Sequence, residues 1–285
     1  MDIAEISKQL IDIGVIDSPI SSIQSLQGGT VSSLFLIMTK IGERYVVKSN
    51  EQVIVKEEAN FLETYVKLSI LPKLLYVDPH YQYIVYTYIE GTTDAPLFDK
   101  KENLDVLAKE LIQNYAQMDS SDEWGWADEP KPTWMAFLLE RYKDAKATLK
   151  NDLTEVEHSF ILNLINDAKD YTGHPHLIHG DCGFHNTIWR NNRLVGVIDP
   201  TPVFGPPIYD LVYAFCSTPY ELEKETLEGK VEYYFPDISR ASFCKEVLIG
   251  LYFRMSTCLK HHPEDFSLYV DAWMYWNKIW IETKA

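Results

Sequence analysis

His179-Gly180-Asp181-Cys182-Gly183-Phe184-His185-Asn186, followed by Leu194-Val195-Gly196-Val197-Ile198 and then Asp199, decides how this chain is read. An Asp, an Asn five positions later and an Asp closing an apolar run form a constellation suited to phosphoryl transfer. That reaction asks for little covalent chemistry. It needs positioned groups and neutralised charge. Asp181 can take or orient a hydroxyl proton, while Asn186 and Asp199 offer oxygen atoms to magnesium, a hard cation that prefers oxygen to sulfur or nitrogen.

The surroundings are consistent with a sizeable globular protein. The chain has 285 residues, of which 46% are apolar and 13% aromatic. That is enough for one large domain or two lobes. A formal net charge of −16 argues against nucleic acid and against an anionic membrane surface as partners. It fits a cationic small substrate, or simply solubility. Cys182, Cys216, Cys244 and Cys258 show no CxxC pairing, so reduced thiols in a cytoplasmic protein are expected. The amphipathic, acidic start MDIAEISKQLIDIG lacks the basic flank and apolar core of a signal peptide, and no apolar run is long enough to span a bilayer.

Periodicity divides the chain near Gly91. After a helix over residues 3–14, strands are expected at Ser22–Leu26, Val31–Ile37, Arg44–Lys48, Leu74–Tyr76 and Tyr83–Tyr88. A helix over Val53–Leu68 interrupts them, with Ile54, Ala59, Phe61, Leu62 and Tyr65 expected inside. Beyond Gly91 helices are expected at Leu104–Met118, Trp134–Leu149, Glu155–Tyr171, Tyr209–Cys216, Phe243–Leu259 and Phe266–Trp280. Short strands flank the motif at Leu177-Ile178 and Leu194–Ile198. The expected fold is therefore α+β: a β-rich part over 1–90, a mainly helical part over 91–285, and a ligand cleft between them.

In this combination, HGD-x4-N, a strand ending in Ile-Asp and a helical Tyr209-Asp210-Leu211, the chain resembles the aminoglycoside phosphotransferase and choline kinase family, which has a protein-kinase-like fold. The resemblance implies that Asp181 is the catalytic aspartate, that Asn186 and Asp199 hold magnesium, and that His179 and Asp210 order the loop. It implies that Lys48 contacts the nucleotide phosphates with Glu58 as its helix partner, neighbouring Glu57 being the alternative. It matches Gly28, Gly29, Ser32 and Ser33 to the phosphate turn, and the Thr87 carbonyl and Ile89 N–H to the adenine contact. ATP or GTP with magnesium would be the cofactor.

The chain also departs from the family pattern. Its phosphate turn has no GxGxxG, and Pro200 follows Asp199 where many relatives carry Trp or Phe; this Asp-Pro pair resembles the streptomycin phosphotransferase and fructosamine kinase branches. The expected activity is transfer of a γ-phosphoryl group to a hydroxyl of a small, amine-bearing molecule. Aminoglycosides, choline or ethanolamine, and amino sugars are open as acceptors. A protein kinase lacking Asp-Phe-Gly and a non-catalytic nucleotide-binding module are the other readings. Trp124, Trp126, Trp134, Trp273, Tyr275, Trp276 and Trp280 read as core aromatics, or as an ammonium cage beside carboxylates. His185 reads as a substrate contact or a loop-packing residue. Oligomeric state is not readable from the sequence.

Overall fold

The structure, a computed structural model, describes residues 2–26, 32–94, 99–119, 122–167 and 173–284. The N-terminal part is an antiparallel sheet of β1 (Ile20–Leu26), β2 (Ser33–Thr39), β3 (Arg44–Ser49), β4 (Leu74–Val77) and β5 (Ile84–Thr87), in the order β1-β2-β3-β5-β4. Side chains alternate across a strand, and this sheet uses both faces. Ile37, Val47 and Val85 pack on one face against Ile6 and Leu10 of α1 (Ile3–Asp12) and against Ile16. Val46, Ile84 and Tyr86 lie on the other face and join the main core with Phe61 and Leu62 of α2 (Gln52–Thr64). Asp2 caps α1 by accepting from the Ala4 and Glu5 N–H groups.

The remainder is mainly helical: α3 (Lys100–Glu110), α4 (Trp134–Leu149), α5 (Glu155–Asn166), α6 (Ile208–Cys216), α7 (Lys224–Leu227), α8 (Lys230–Tyr234), α9 (Arg240–His261) and α10 (Phe266–Lys284). Two small β units lie among them. One is a three-stranded sheet, β6 (Gly125–Trp126) and β7 (His176–Ile178) on either side of β10 (Val203–Gly205). The other is the hairpin of β8 (Thr187–Arg190) and β9 (Arg193–Val197). No helix among the described residues is long and apolar enough to cross a membrane.

Several boundaries differ from expectation for local reasons. The helix expected over Leu104–Met118 starts earlier, because Asp99 accepts from the Glu102 N–H as its cap. It ends at Glu110, after which the backbone tightens into a 3-10 turn at Ile112–Asn114. In α2 Val55 rather than Ile54 is buried, since the inward stripe runs Val55, Glu58, Ala59, Leu62. Trp124, Trp134, Trp273 and Trp276 are buried in the main core, so these aromatics build the fold rather than a cage.

The two parts meet where the chain leaves β5. Gly91 has φ +155°, and a Cβ there would overlap the Trp189 backbone and the Ile188 side chain. The next residue, Thr92, exchanges backbone hydrogen bonds with Trp189 in β8, at 2.9 Å and 2.8 Å. Replacing Gly91 by Ala therefore imposes both backbone strain and a clash. Gly91→Ala is expected to lower unfolding free energy by roughly 2 kcal/mol or more, measured by urea denaturation. An unchanged midpoint would show that the crossing relaxes freely.

Candidate active site

Lys48 lies on the sheet face that carries Val46, pointing toward the helical part. Its ammonium is almost wholly buried. It pairs with Glu58 of α2 at 2.6 Å and with the Asp199 carboxylate, which is the more exposed partner. Burial disfavours a charged lysine, but the two carboxylates outweigh it and hold Lys48 above its usual range. The alternative partner, Glu57, instead pairs with Lys56 at 3.1 Å and accepts from Asn60. Glu58 and Phe61 are one turn apart on α2. Phe61 meets the His179 ring edge-on at 5.7 Å. One helix face thus reaches both the lysine and the Asp181 loop.

That loop follows β7 and is held by a buried carboxylate. Asp210 on α6 accepts from the His179 N–H at 2.9 Å, the Gly180 N–H at 3.1 Å and the Tyr115 hydroxyl at 2.6 Å. Burial pushes its carboxyl up to about 7, against the pull of those donors. Gly180 has φ +79° and sits against the Thr201 carbonyl, leaving no room for a Cβ. Asp181 is thereby presented on a pinned loop. Its Oδ2 accepts from Asn186 Nδ2 at 2.8 Å, its Oδ1 lies 3.2 Å from His185 Nε2, and the Tyr213 hydroxyl donates to it. Burial opposes ionisation of Asp181, yet His185, Tyr213 and His179 together pull its pKa below the ordinary carboxylate value.

Tyr213 is the contact that sequence reasoning missed. The signal was present, because Tyr213 is three residues after Asp210 and so shares its helix face.

The hairpin β8–β9, of which only the second strand was foreseen, brings the two oxygen ligands together. Asn191 and Asn192 both have positive φ, at 52° and 58°, as a tight two-residue hairpin turn requires. Thr187 then pairs with Val197, and the Ile198 N–H bonds to the Asn186 carbonyl at 2.9 Å. Asn186 and Asp199 become neighbours. The Asn186 amide nitrogen is spent on Asp181, with a second bond of 3.0 Å to its backbone carbonyl, and this turns the amide oxygen away from Asp181. Asp199 stands at φ +59°, a conformation Asp tolerates better than most residues. Two hard oxygen donors with room for waters and phosphates suit magnesium, which seldom has an all-protein cage.

Two cavities flank this arrangement. One, of about 560 Å³, lies under the sheet between Leu26, Val46 and Tyr86 on one side and Ile188 and Ile198 on the other, with Asn186 and Asp199 at its end. Thr87 and Ile89 line it, and among the described residues no hydrogen bond takes up the Ile89 N–H. The other, of about 520 Å³, is lined by Asp181, His185, Tyr213 and residues of α9. Ser33 begins β2 opposite Ser49, with Ser32 just before it, whereas Gly28 and Gly29 lie outside the described residues.

His179 is a buried support. Its Nε2 meets the Ile198 carbonyl at 3.1 Å. Burial lowers its pKa from 6.5 to about 4, although Asp181 pulls the other way. The unfolded chain takes up this proton and the folded chain refuses it. The stability it contributes is whole above pH 6.5 and is lost as pH falls toward 4. Wild-type unfolding free energy is therefore expected to fall more steeply than that of His179→Gln across this window. Parallel profiles in urea titrations would refute the buried neutral imidazole.

Comparison with known proteins bears on the fold and the family. APH(4)-Ia, an aminoglycoside phosphotransferase, superposes with a TM-score of 0.61 at 20% identity, over 97% of this chain and 98% of its own. A thermostable mutant of that enzyme has been solved with AMP-PNP and hygromycin B. A protein of Thermobifida fusca assigned as a fructosamine-3-kinase gives 0.63 at 14% identity, over 96% and 98% of the two chains. One of Ralstonia eutropha assigned as an aminoglycoside phosphotransferase gives 0.68 at 11% identity, over 96% and 98%. These likenesses establish the kinase-like fold. The sequence model described as "Phosphotransferase enzyme family" matches residues 22–244, most of the chain, and with it the protein belongs to the phosphotransferase enzyme family.

Proposed function

We propose that this protein transfers the γ-phosphoryl group of ATP or GTP, with magnesium, to a hydroxyl of a small molecule. The observation that carries this reading is the split between the cavities: Asn186 and Asp199 line the first, Asp181 lines the second, and His185 lines both. A nucleotide in the first cavity would place its phosphates at the border, beside Lys48. Asn186 and Asp199 would hold magnesium, which supplies charge neutralisation on the phosphates. The acceptor hydroxyl would sit in the second cavity against Asp181. As its oxygen forms a bond to the γ-phosphorus, the bond to the leaving nucleoside diphosphate breaks and the hydroxyl proton passes to Asp181. The Asn186, His185 and Tyr213 contacts hold that carboxylate ionised and aimed.

The acceptor class draws support from the fold. One structural neighbour was solved with hygromycin B and another with GDP and kanamycin. An amine-bearing, hydroxylated acceptor is consistent with these and finds Asp265 in the second cavity. In this reading residues 1–90 and 91–285 act as two lobes about Gly91. The adenine edge would meet the Thr87 carbonyl and the Ile89 N–H, and Ser32 and Ser33 would lie near the phosphates. All four cysteines are free and buried, which supports a reducing compartment, the cytoplasm.

Asp181→Asn is expected to reduce kcat by a factor of about 100 or more with nucleotide affinity largely kept. Near-normal turnover in a coupled ADP-release assay would remove Asp181 from the mechanism. Lys48→Ala strands a buried Glu58 and should cost about 3–5 kcal/mol of stability. The pair Lys48→Met with Glu58→Gln should recover most of that stability while nucleotide turnover stays low. If turnover returned along with stability, Lys48 would be structural only.

A further inference from the structure

The second cavity carries a cationic side chain that has no carboxylate partner among the described residues. Arg254 on α9 lines the 520 Å³ cavity beside Asp181 and also a smaller cavity of about 40 Å³ behind it. Among the described residues it has no salt-bridge partner, and its terminal nitrogens make no hydrogen bond. Only its Nε is engaged, donating to the Tyr269 hydroxyl at 3.0 Å. Tyr269 is fully buried, and its hydroxyl donates onward to the Cys216 carbonyl at 3.0 Å. The guanidinium also lies 5.6 Å from the Tyr269 ring centroid. Arg254 is therefore held in one place with its fork of donors unspent. A half-buried guanidinium normally finds an anion, since a charge out of water is costly unless paired.

Arg141 repeats the pattern behind it. It lines the smaller cavity, stands 4.5 Å from the Phe253 ring centroid, donates to the Tyr209 hydroxyl and has no carboxylate within salt-bridge distance among the described residues. The acidic groups nearby are Asp181, Asp265 and Glu246. Asp181 is engaged by three donors, and Glu246 is pushed toward its neutral form by burial. His261 and His262 complete the outer rim. The net charge of −16 does not decide this site. Surface charges more than a Debye length away, about 8 Å, are largely screened, whereas Arg254 faces the cavity directly.

We propose that the acceptor carries an acidic group, carboxylate or phosphate, which Arg254 binds with Arg141 reinforcing the field, while the hydroxyl to be phosphorylated lies at Asp181. The smaller cavity has room for only about three waters, so the body of the acceptor occupies the outer cavity. An acceptor bearing both an amine and an acid is accommodated, with Asp265 left for the amine. This inference rests on the phosphotransferase reading of the same site.

The test uses matched polyols: D-glucitol, D-glucosamine, D-gluconate, D-glucosaminate and D-glucose 6-phosphate. Each is assayed for ADP release and, independently of turnover, for thermal protection of the protein with AMP-PNP and magnesium. Acid-bearing probes are expected to exceed their neutral or cationic counterparts by 10-fold or more in kcat/KM or in affinity. Arg254→Met should cut that preference by 10- to 100-fold, and Arg254→Lys should restore part of it. The carboxylate and phosphate arms show which acid is preferred. Equal binding of acid and neutral probes, preference for D-glucosamine over D-glucosaminate, or a preference untouched in both Arg254 variants would overturn the proposal. Arg254-dependent binding of an acid probe with ADP release insensitive to Asp181→Asn would sink the kinase reading while leaving the subsite standing.

Discussion

The Lys48 ammonium, shared between Glu58 and Asp199, is the interaction on which the rest of the site depends. It joins the third strand of the sheet and the helix that follows it to the end of the β8–β9 hairpin, 151 residues further along the chain. A buried ion pair contributes little net stability compared with apolar packing, but removing one partner is expensive. Its value lies in geometry. With the ammonium fixed, the sheet face that lines the first cavity is held opposite Asn186 and Asp199.

A second buried group, the Asp210 carboxyl, does the same for the loop. Asp210 gathers two consecutive backbone N–H groups and a tyrosine hydroxyl, and one turn along its helix Tyr213 reaches Asp181. Helix α6 thus anchors the loop from beneath and trims the Asp181 carboxylate from the side. The same helix then borders the second cavity, where Arg254 of α9 stands with unspent donors. The overall charge and the charge that Arg254 presents to the cavity differ in sign. The acidic surface bears on solubility, while the groups within reach of a ligand decide what binds.

Much of this was legible beforehand. The five sheet strands followed from β-branched and aromatic runs punctuated by glycines, and α2 from its helical apolar spacing, with boundaries shifted by a residue or a few. The partner of Lys48 came from the family resemblance, which offered Glu58 with Glu57 as the alternative; the buried stripe through Val55, Ala59 and Leu62, seen only in the structure, sets Glu58 against Lys48 while Glu57 pairs with Lys56. Strand β8 was not legible. Thr187-Ile188-Trp189-Arg190 is too short to show alternation, and it becomes a strand by pairing with β9. The helix expected to run to Met118 stopped early because Tyr115 is drawn off to donate to Asp210, a contact across 95 residues. The tryptophans could be read as core or as cage, since local pattern does not say which face a neighbour will cover.

The sequence by itself determined the chemistry on offer. Asp181, Asn186, Asp199, Lys48 and Asp210 are residue types suited to phosphoryl transfer, in an order that resembles the family whose model matches residues 22–244. Only the tertiary structure decided which groups meet. Asn186 and Asp199 are neighbours through hairpin register, Lys48 bridges Glu58 and Asp199 because strand alternation turns it inward, and Arg254 faces the same cavity as Asp181 because α9 packs against α6 and α10. The physical reason is range. Residue type and spacing encode interactions within a turn or a strand pair, whereas contacts such as Lys48–Asp199, across 151 residues, are set by how whole segments pack.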